Sequence, residues 1–132
     1  MQINPEHLRR LKHELRTPLN HILGYSDLLL ETATDSGDAA TADVAKDIHA
    51  TGQQLARLLE KSFTSPSGEM DDSQMDTLRD NIRPVVQQIL KNLSSPCPQP
   101  KLDSHVADLH RIRRAADQLM ILVESLRIPI SE

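Results

Sequence analysis

A chain of 132 residues has room for one compact domain and is marginal for two. Its net charge of −4 and pI near 5.8 supply no basic field for nucleic acid. One Tyr, one Phe and no Trp leave almost no aromatic mass for stacking on bases or filling a β-sandwich, so the core has to be aliphatic, which suits helices.

Taken in chain order, Asn4-Pro5-Glu6 reads as a helix start: a capping residue, a proline suited to the first helical position, and an acid in the first turn. Apolar residues then recur at Leu8, Leu11, Leu15, Pro18 with Leu19, Ile22, Tyr25 and Leu29, the three- and four-residue steps of a heptad-like seam. TATDSGDAATAD (32–43) interrupts it and offers new capping residues. A second seam runs Val44, Ile48, Thr51, Leu55, Leu58, Ser62. TSPSGEMDDSQ (64–74) is linker by composition. A third seam follows at Met75, Leu78, Ile82, Val85, Ile89 and Leu93. SSPCPQPKLDS (94–104) ends it, with Asp103 or Ser104 available to cap a fourth helix carrying Leu109, Ile112, Ala116, Leu119, Val123 and Leu126. No segment alternates with period two, so strands are not expected. The prediction is an all-α antiparallel four-helix bundle of two hairpins, residues 1–63 and 75–132, joined by the linker 64–74.

Cys97 is the only cysteine and lies in the proline-rich break, so no internal disulfide is expected and a reducing compartment is the default. No apolar run reaches the ~20 residues of a membrane span. The start MQINPEHLRR lacks the apolar core of a signal peptide, and the expected location is cytoplasmic. Leu19, Leu23, Leu28 and Leu30 exceed what one seam needs, and a wide buried face is the preferred account over a partner surface.

The two halves read as one motif written twice. HELRTPLNHIL (13–23) sets against DNIRPVVQQIL (80–90) at a constant offset of 67, matching Arg16 with Arg83, Ile22 with Ile89 and Leu23 with Leu90, with Pro18 and Pro84 one place out of register. IHATGQQLARLLE (48–60) sets against IRRAADQLMILVE (112–124) at an offset of 64, matching Ile, Gln, Leu, Leu and Glu. Any two heptad helices align their apolar residues. The Arg, Gln, Glu and near-matching proline carry the evidence for duplication.

With Leu11, Leu15, Pro18 and Ile22 buried, His13 falls opposite the seam, on the solvent side. A neutral, solvated imidazole is an available nucleophile. Glu14 can orient or deprotonate the ring, and Thr17 offers a hydroxyl one turn on. His21, His49, His105 and His110 read as ordinary core or surface histidines. HELRT begins like the zinc-protease H-E-x-x-H, but Thr17 stands where the second histidine is needed, so no metal site is expected. No Ser-His-Asp or Cys-His pairing is recognisable. Gly24, Gly37, Gly52 and Gly68 are scattered and form no phosphate-cradling loop; no cofactor is expected, and the chain should not take phosphate from ATP unaided.

HELRTPLNHILGYSDLLLE closely resembles the H-box of the dimerisation and phosphoacceptor domain of two-component histidine kinases, whose pattern is H-[ED]-x-[RK]-[TS]-P-L followed by I-x-G-[YF]-x-[ED]-L-L. DIHATGQQLARLLEKS is similar to the second helix of that hairpin. The resemblance is strong over about residues 8 to 62 and faint over 75 to 126. It implies His13 as phosphoacceptor, Glu14 as its acid/base partner, Thr17 as the residue positioning water when a partner regulator is dephosphorylated, and Pro18 as a helix-bending residue. In that family two subunits each contribute a hairpin to a four-helix bundle. Here Asp80, Asn81 and Pro84 stand at the places of the histidine, acid and threonine, so the second copy has no acceptor, and the chain is expected to form a monomeric pseudodimer.

Two functions stay open at this point. One is a two-component phosphotransfer module that exchanges a phosphoryl group between His13 and the aspartate of a response-regulator receiver domain, with an ATP-binding kinase domain or output domain separate or fused. The other is a non-catalytic histidine-kinase-like scaffold that feeds a fused output domain. Whether the chain is an enzyme is undecided by the residues, and neither a nucleic acid nor a membrane is an expected partner.

Overall fold

In the computed structural model the chain forms β1 (Gln2–Ile3), α1 (Pro5–Asp35), α2 (Ala39–Ser62), β2 (Met70–Asp71), α3 (Asp72–Ser94) and α4 (Asp103–Glu124). The structure describes residues 2–3, 5–62, 70–94, 100 and 102–126; Asn4, Phe63 and Cys97 lie outside them, as do positions 64–69 of the expected linker. α1 packs against α2 and α4, and α3 packs against the same two. α1 and α3 therefore stand across the diagonal of an all-α four-helix bundle. The two-residue strands pair antiparallel, Gln2 with Asp71 and Ile3 with Met70, and tie the start of one hairpin to the start of the other. Pairs this short carry no period-two signal.

Each helix buries the stripe that its spacing dictates. Leu15, Leu19, Ile22 and Leu29 of α1, Ile48, Leu55 and Leu59 of α2, Met75, Leu78, Ile82 and Ile89 of α3, and Ile112, Leu119 and Val123 of α4 are almost wholly removed from water. The stripe is wider than one seam because every helix has two neighbours. Leu23 and Leu30 are half-buried against the core, which accounts for the surplus leucines, and Leu28 alone of the four is exposed. The same geometry shifts some expected core positions: Ser26 is fully buried while Leu11 and Tyr25 pack at its edge, and Val86 rather than Val85 is buried in α3.

The break between α1 and α2 is three residues long, not the dozen that composition suggests. Gly37 adopts φ +74°, the left-handed conformation that ends a helix at least cost to glycine. Its N–H donates to the Thr34 carbonyl at 3.2 Å, and that of Asp38 donates to the Ala33 carbonyl at 2.9 Å, closing the last turn. Asp38 then starts α2: its carboxylate accepts the Thr41 N–H at 3.2 Å and the Thr41 hydroxyl at 2.7 Å. α3 begins at Asp72, three residues before the first apolar residue of its seam. In α4 the expected caps are not used. Leu102 occupies the N-cap in extended conformation without a side-chain cap, and Asp103 lies in the first turn.

Candidate functional site

α1 carries the candidate acceptor. Because Leu15, Pro18, Leu19 and Ile22 point into the core, His13, Glu14 and Thr17 are left on the outer face, and all three are exposed. Among the described residues the side chains of His13 and Glu14 make no hydrogen bond or ion pair, so the imidazole is unencumbered. The Thr17 hydroxyl donates to the backbone carbonyl of His13 at 3.1 Å. α1 runs unbroken through Pro18, which is buried. Proline has no N–H for the carbonyl of Glu14, four residues back. The two carbonyls at the site are thus served differently: that of His13 gains a side-chain donor, and that of Glu14 loses its helical one.

Charge around the histidine comes from both sides. Lys12 and Arg16 flank His13 on α1, and both pair with Glu60 near the end of α2: Lys12 Nζ lies 3.1 Å from Glu60 Oε2, and an Arg16 guanidinium nitrogen contacts Oε1. Beside this cluster a shallow depression of about 280 Å³ is lined by Arg16, Leu19, Asn20, Ala56, Leu59 and Glu60. Lys12 and Glu60 are site residues that sequence reasoning did not single out. The signal for Glu60 was present in the repeat, where it matches Glu124; Lys12 lies just outside the aligned segments.

The second hairpin builds the same latch. Arg83 donates to both carboxylate oxygens of Glu124, at 2.6 and 3.0 Å. Arg83 and Glu124 are the residues that the two offsets pair with Arg16 and Glu60. Exposed Asp80 takes the place of His13, and exposed Pro84 stands near that of Thr17. Arg79, the counterpart of Lys12, turns away from Glu124 and donates to the Leu126 carbonyl at 3.0 Å and to Asp76 at 2.9 Å.

The far end of the bundle differs from expectation. His105 at the start of α4 is fully buried, its Nδ1 3.5 Å from Asp38 Oδ2, with neither ring nitrogen hydrogen-bonded. It is a core histidine, but not a satisfied one. Nearby, Arg111 pairs with Asp108 at 2.7 Å and its guanidinium carbon sits 5.7 Å from the centroid of the Tyr25 ring, linking α4 to α1. His21 packs its ring 6.3 Å from Tyr25. None of these residues adjoins His13 in the helix sequence. Among the described residues no group of three or more His, Cys, Asp or Glu is placed to hold a metal, and no helix is long and apolar enough to cross a membrane.

Comparison with known proteins bears on this site. The chain is 42% identical over 55 residues to the Non-motile and phage-resistance protein of Caulobacter vibrioides, a match covering 41% of this chain and 6% of that protein. It is 38% identical over 55 residues to the Cell-division control histidine kinase PdhS of Brucella anthropi, covering 41% of this chain and 5% of that one. It is 26% identical over 92 residues to Histidine kinase 3 of Arabidopsis thaliana, covering 70% of this chain and 9% of that one. The chain thus spans less than a tenth of the length of each of these relatives. No solved structure matches. Residues 6–65 match the family described as His Kinase A (phospho-acceptor) domain, so the first hairpin, with His13 on its outer face, is a phospho-acceptor domain of the histidine kinase family.

Proposed function

We propose that the chain is a cytoplasmic two-component module that carries a phosphoryl group on His13, received from or passed to the aspartate of a response-regulator receiver domain. The observation that carries this reading is the exposure of an unengaged His13 beside Glu14 within the matched segment. In transfer from a receiver, the lone pair of an unprotonated imidazole nitrogen attacks phosphorus. The P–O bond to the receiver's aspartate breaks with its electron pair left on that carboxylate. Glu14 takes the proton from the other ring nitrogen. In the reverse step the carboxylate attacks and the imidazole leaves as its proton returns. Thr17, when its hydroxyl turns from the His13 carbonyl, positions water for hydrolysis of the receiver's phosphate.

The second hairpin serves as the covalent stand-in for a partner subunit's hairpin. Its matching latch supports that role, and Asp80 leaves it without an acceptor. One chain accordingly carries one phosphoryl group and engages one receiver. An ATP-binding domain, fused or separate, supplies phosphate from ATP where the pathway needs it.

A second reading is favoured by the same latch. A bundle kept only to present a fused output domain would retain the packing and the Arg–Glu pairs without transfer. Incubation of the purified chain with phosphorylated receiver domains, followed by intact mass, separates the two. Acid-labile phosphate on the wild type and none on His13→Gln is the expected result. No transfer from any receiver tested, with both proteins folded, establishes the scaffold instead.

A further inference from the structure

We infer that Glu60 is a positioning residue for the phosphoryl group on His13: it holds Arg16 while the histidine is free and yields Arg16 to the phosphoryl group once His13 carries one. The inference rests on His13 being the acceptor, as proposed above. Arg16 is one helical turn from His13, the spacing at which side chains on a helix meet, about 5–6 Å between Cβ atoms. In the unmodified protein its guanidinium is committed to Glu60 Oε1. A phosphoryl group brings up to two negative charges and three acceptor oxygens to a position that the same guanidinium can reach, and it outcompetes a single carboxylate oxygen. The depression beside Arg16 leaves space for the side chain to turn.

The two latches differ in the way that such an exchange requires. Glu124 commits both oxygens to Arg83, a two-point pair and, among the described residues, its sole ion pair. Glu60 divides its oxygens between two cations, Oε2 with Lys12 and Oε1 with Arg16. When Arg16 leaves, Glu60 keeps Lys12, so no carboxylate is stranded and α1 stays tied to α2. Arg16 and Glu60 are also each about half exposed, at 45% and 48%, so the exchange needs no change in the core. Where the acceptor is present the latch is divisible, and where Asp80 replaces it the latch is closed.

The test uses phosphoramidate, a small donor that needs no receiver. The imidazole nitrogen bonds to phosphorus as the P–N bond to ammonia breaks, and the imidazole proton departs with ammonia as ammonium. Side-chain NMR of the arginine Nε–Hε groups then follows both latches, with peptide mapping of the acid-labile phosphate. In the wild type the Arg16 resonance is expected to shift when His13 is loaded while that of Arg83 stays in place, and in His13→Gln neither moves. Glu60→Gln releases Arg16 beforehand and should raise the rate of His13 phosphorylation about two- to fivefold, the worth of an exposed ion pair. Glu124→Gln should leave that rate unchanged although it breaks the second hairpin's own Arg–Glu latch, a contrast that a purely structural role would not produce. In an Arg16→Gln background the Glu60→Gln effect should vanish.

An Arg16 resonance unmoved by loaded His13 overturns the exchange, whatever receivers do. Equal effects of Glu60→Gln and Glu124→Gln overturn it as well. An Arg16 shift without transfer from any receiver upholds the exchange and defeats the phosphotransfer reading. Failure of His13 to load, while other exposed histidines do, defeats both.

Discussion

Replacing Asp38 with alanine isolates the junction that turns α1 into α2. The carboxylate makes two bonds to Thr41, 3.2 Å to its N–H and 2.7 Å to its hydroxyl, in a place where Asp38 is 4% and Thr41 also 4% exposed. Removing it deletes an N-cap, worth about 1 kcal/mol within a range of 0.5–2. It also strands a buried hydroxyl, a penalty of about 1–3 kcal/mol. Relief of the buried carboxylate's own desolvation offsets part of this, so the expected loss is about 2 kcal/mol. For a bundle of this size that is a fall in Tm of roughly 6–10 °C. Urea unfolding followed by far-ultraviolet circular dichroism measures it, with Asp38→Asn in parallel. Asparagine keeps an acceptor for the N–H and should lose about 1 kcal/mol or less. If Asp38→Asn costs as much as Asp38→Ala, the charge facing His105 at 3.5 Å outweighs the cap, and the reasoning is refuted. An alanine variant within about 0.5 kcal/mol of wild type refutes it too.

The remaining expectations concern backbone, assembly and the site. Gly37→Ala should lose about 1–2 kcal/mol because of its φ of +74°, whereas Gly24→Ala, whose added Cβ meets no atom within 4 Å in the middle of α1, should gain about 0.5–1 kcal/mol; thermal melts of the pair settle both signs. Multi-angle light scattering should return a mass near 14.8 kDa, the monomer expected when each hairpin already has its partner in the chain, and a mass of twice that points to exchange of hairpins between chains. His13→Gln should abolish acid-labile phosphate yet leave stability within about 0.5 kcal/mol, since His13 is exposed and its ring is unbonded.

Much of this protein is written in local periodicity. The spacing of Leu8, Leu15, Leu19 and Ile22 is enough to make a helix, to choose its inner face and to put His13, Glu14 and Thr17 on the outer one. The stretch 32–43 is likewise readable as an interruption with capping residues, but that Gly37 ends α1 and Asp38 starts α2 is settled by the backbone itself. The pairing of Arg16 with Glu60 and of Arg83 with Glu124 was foreshadowed only as matched letters in a repeat. Which oxygens hold which cations, and that one latch is divided while the other is closed, depends on the register between helices, and no single-helix pattern encodes that register. The same holds at the other end. His105 looks like any polar residue near a helix start, and its burial against Asp38 arises because α4 begins at the level where the α1–α2 turn closes over it. Local spacing sets what a segment becomes and which side it hides. Only the packed bundle decides which distant charges meet, because that contact is a property of two surfaces brought together.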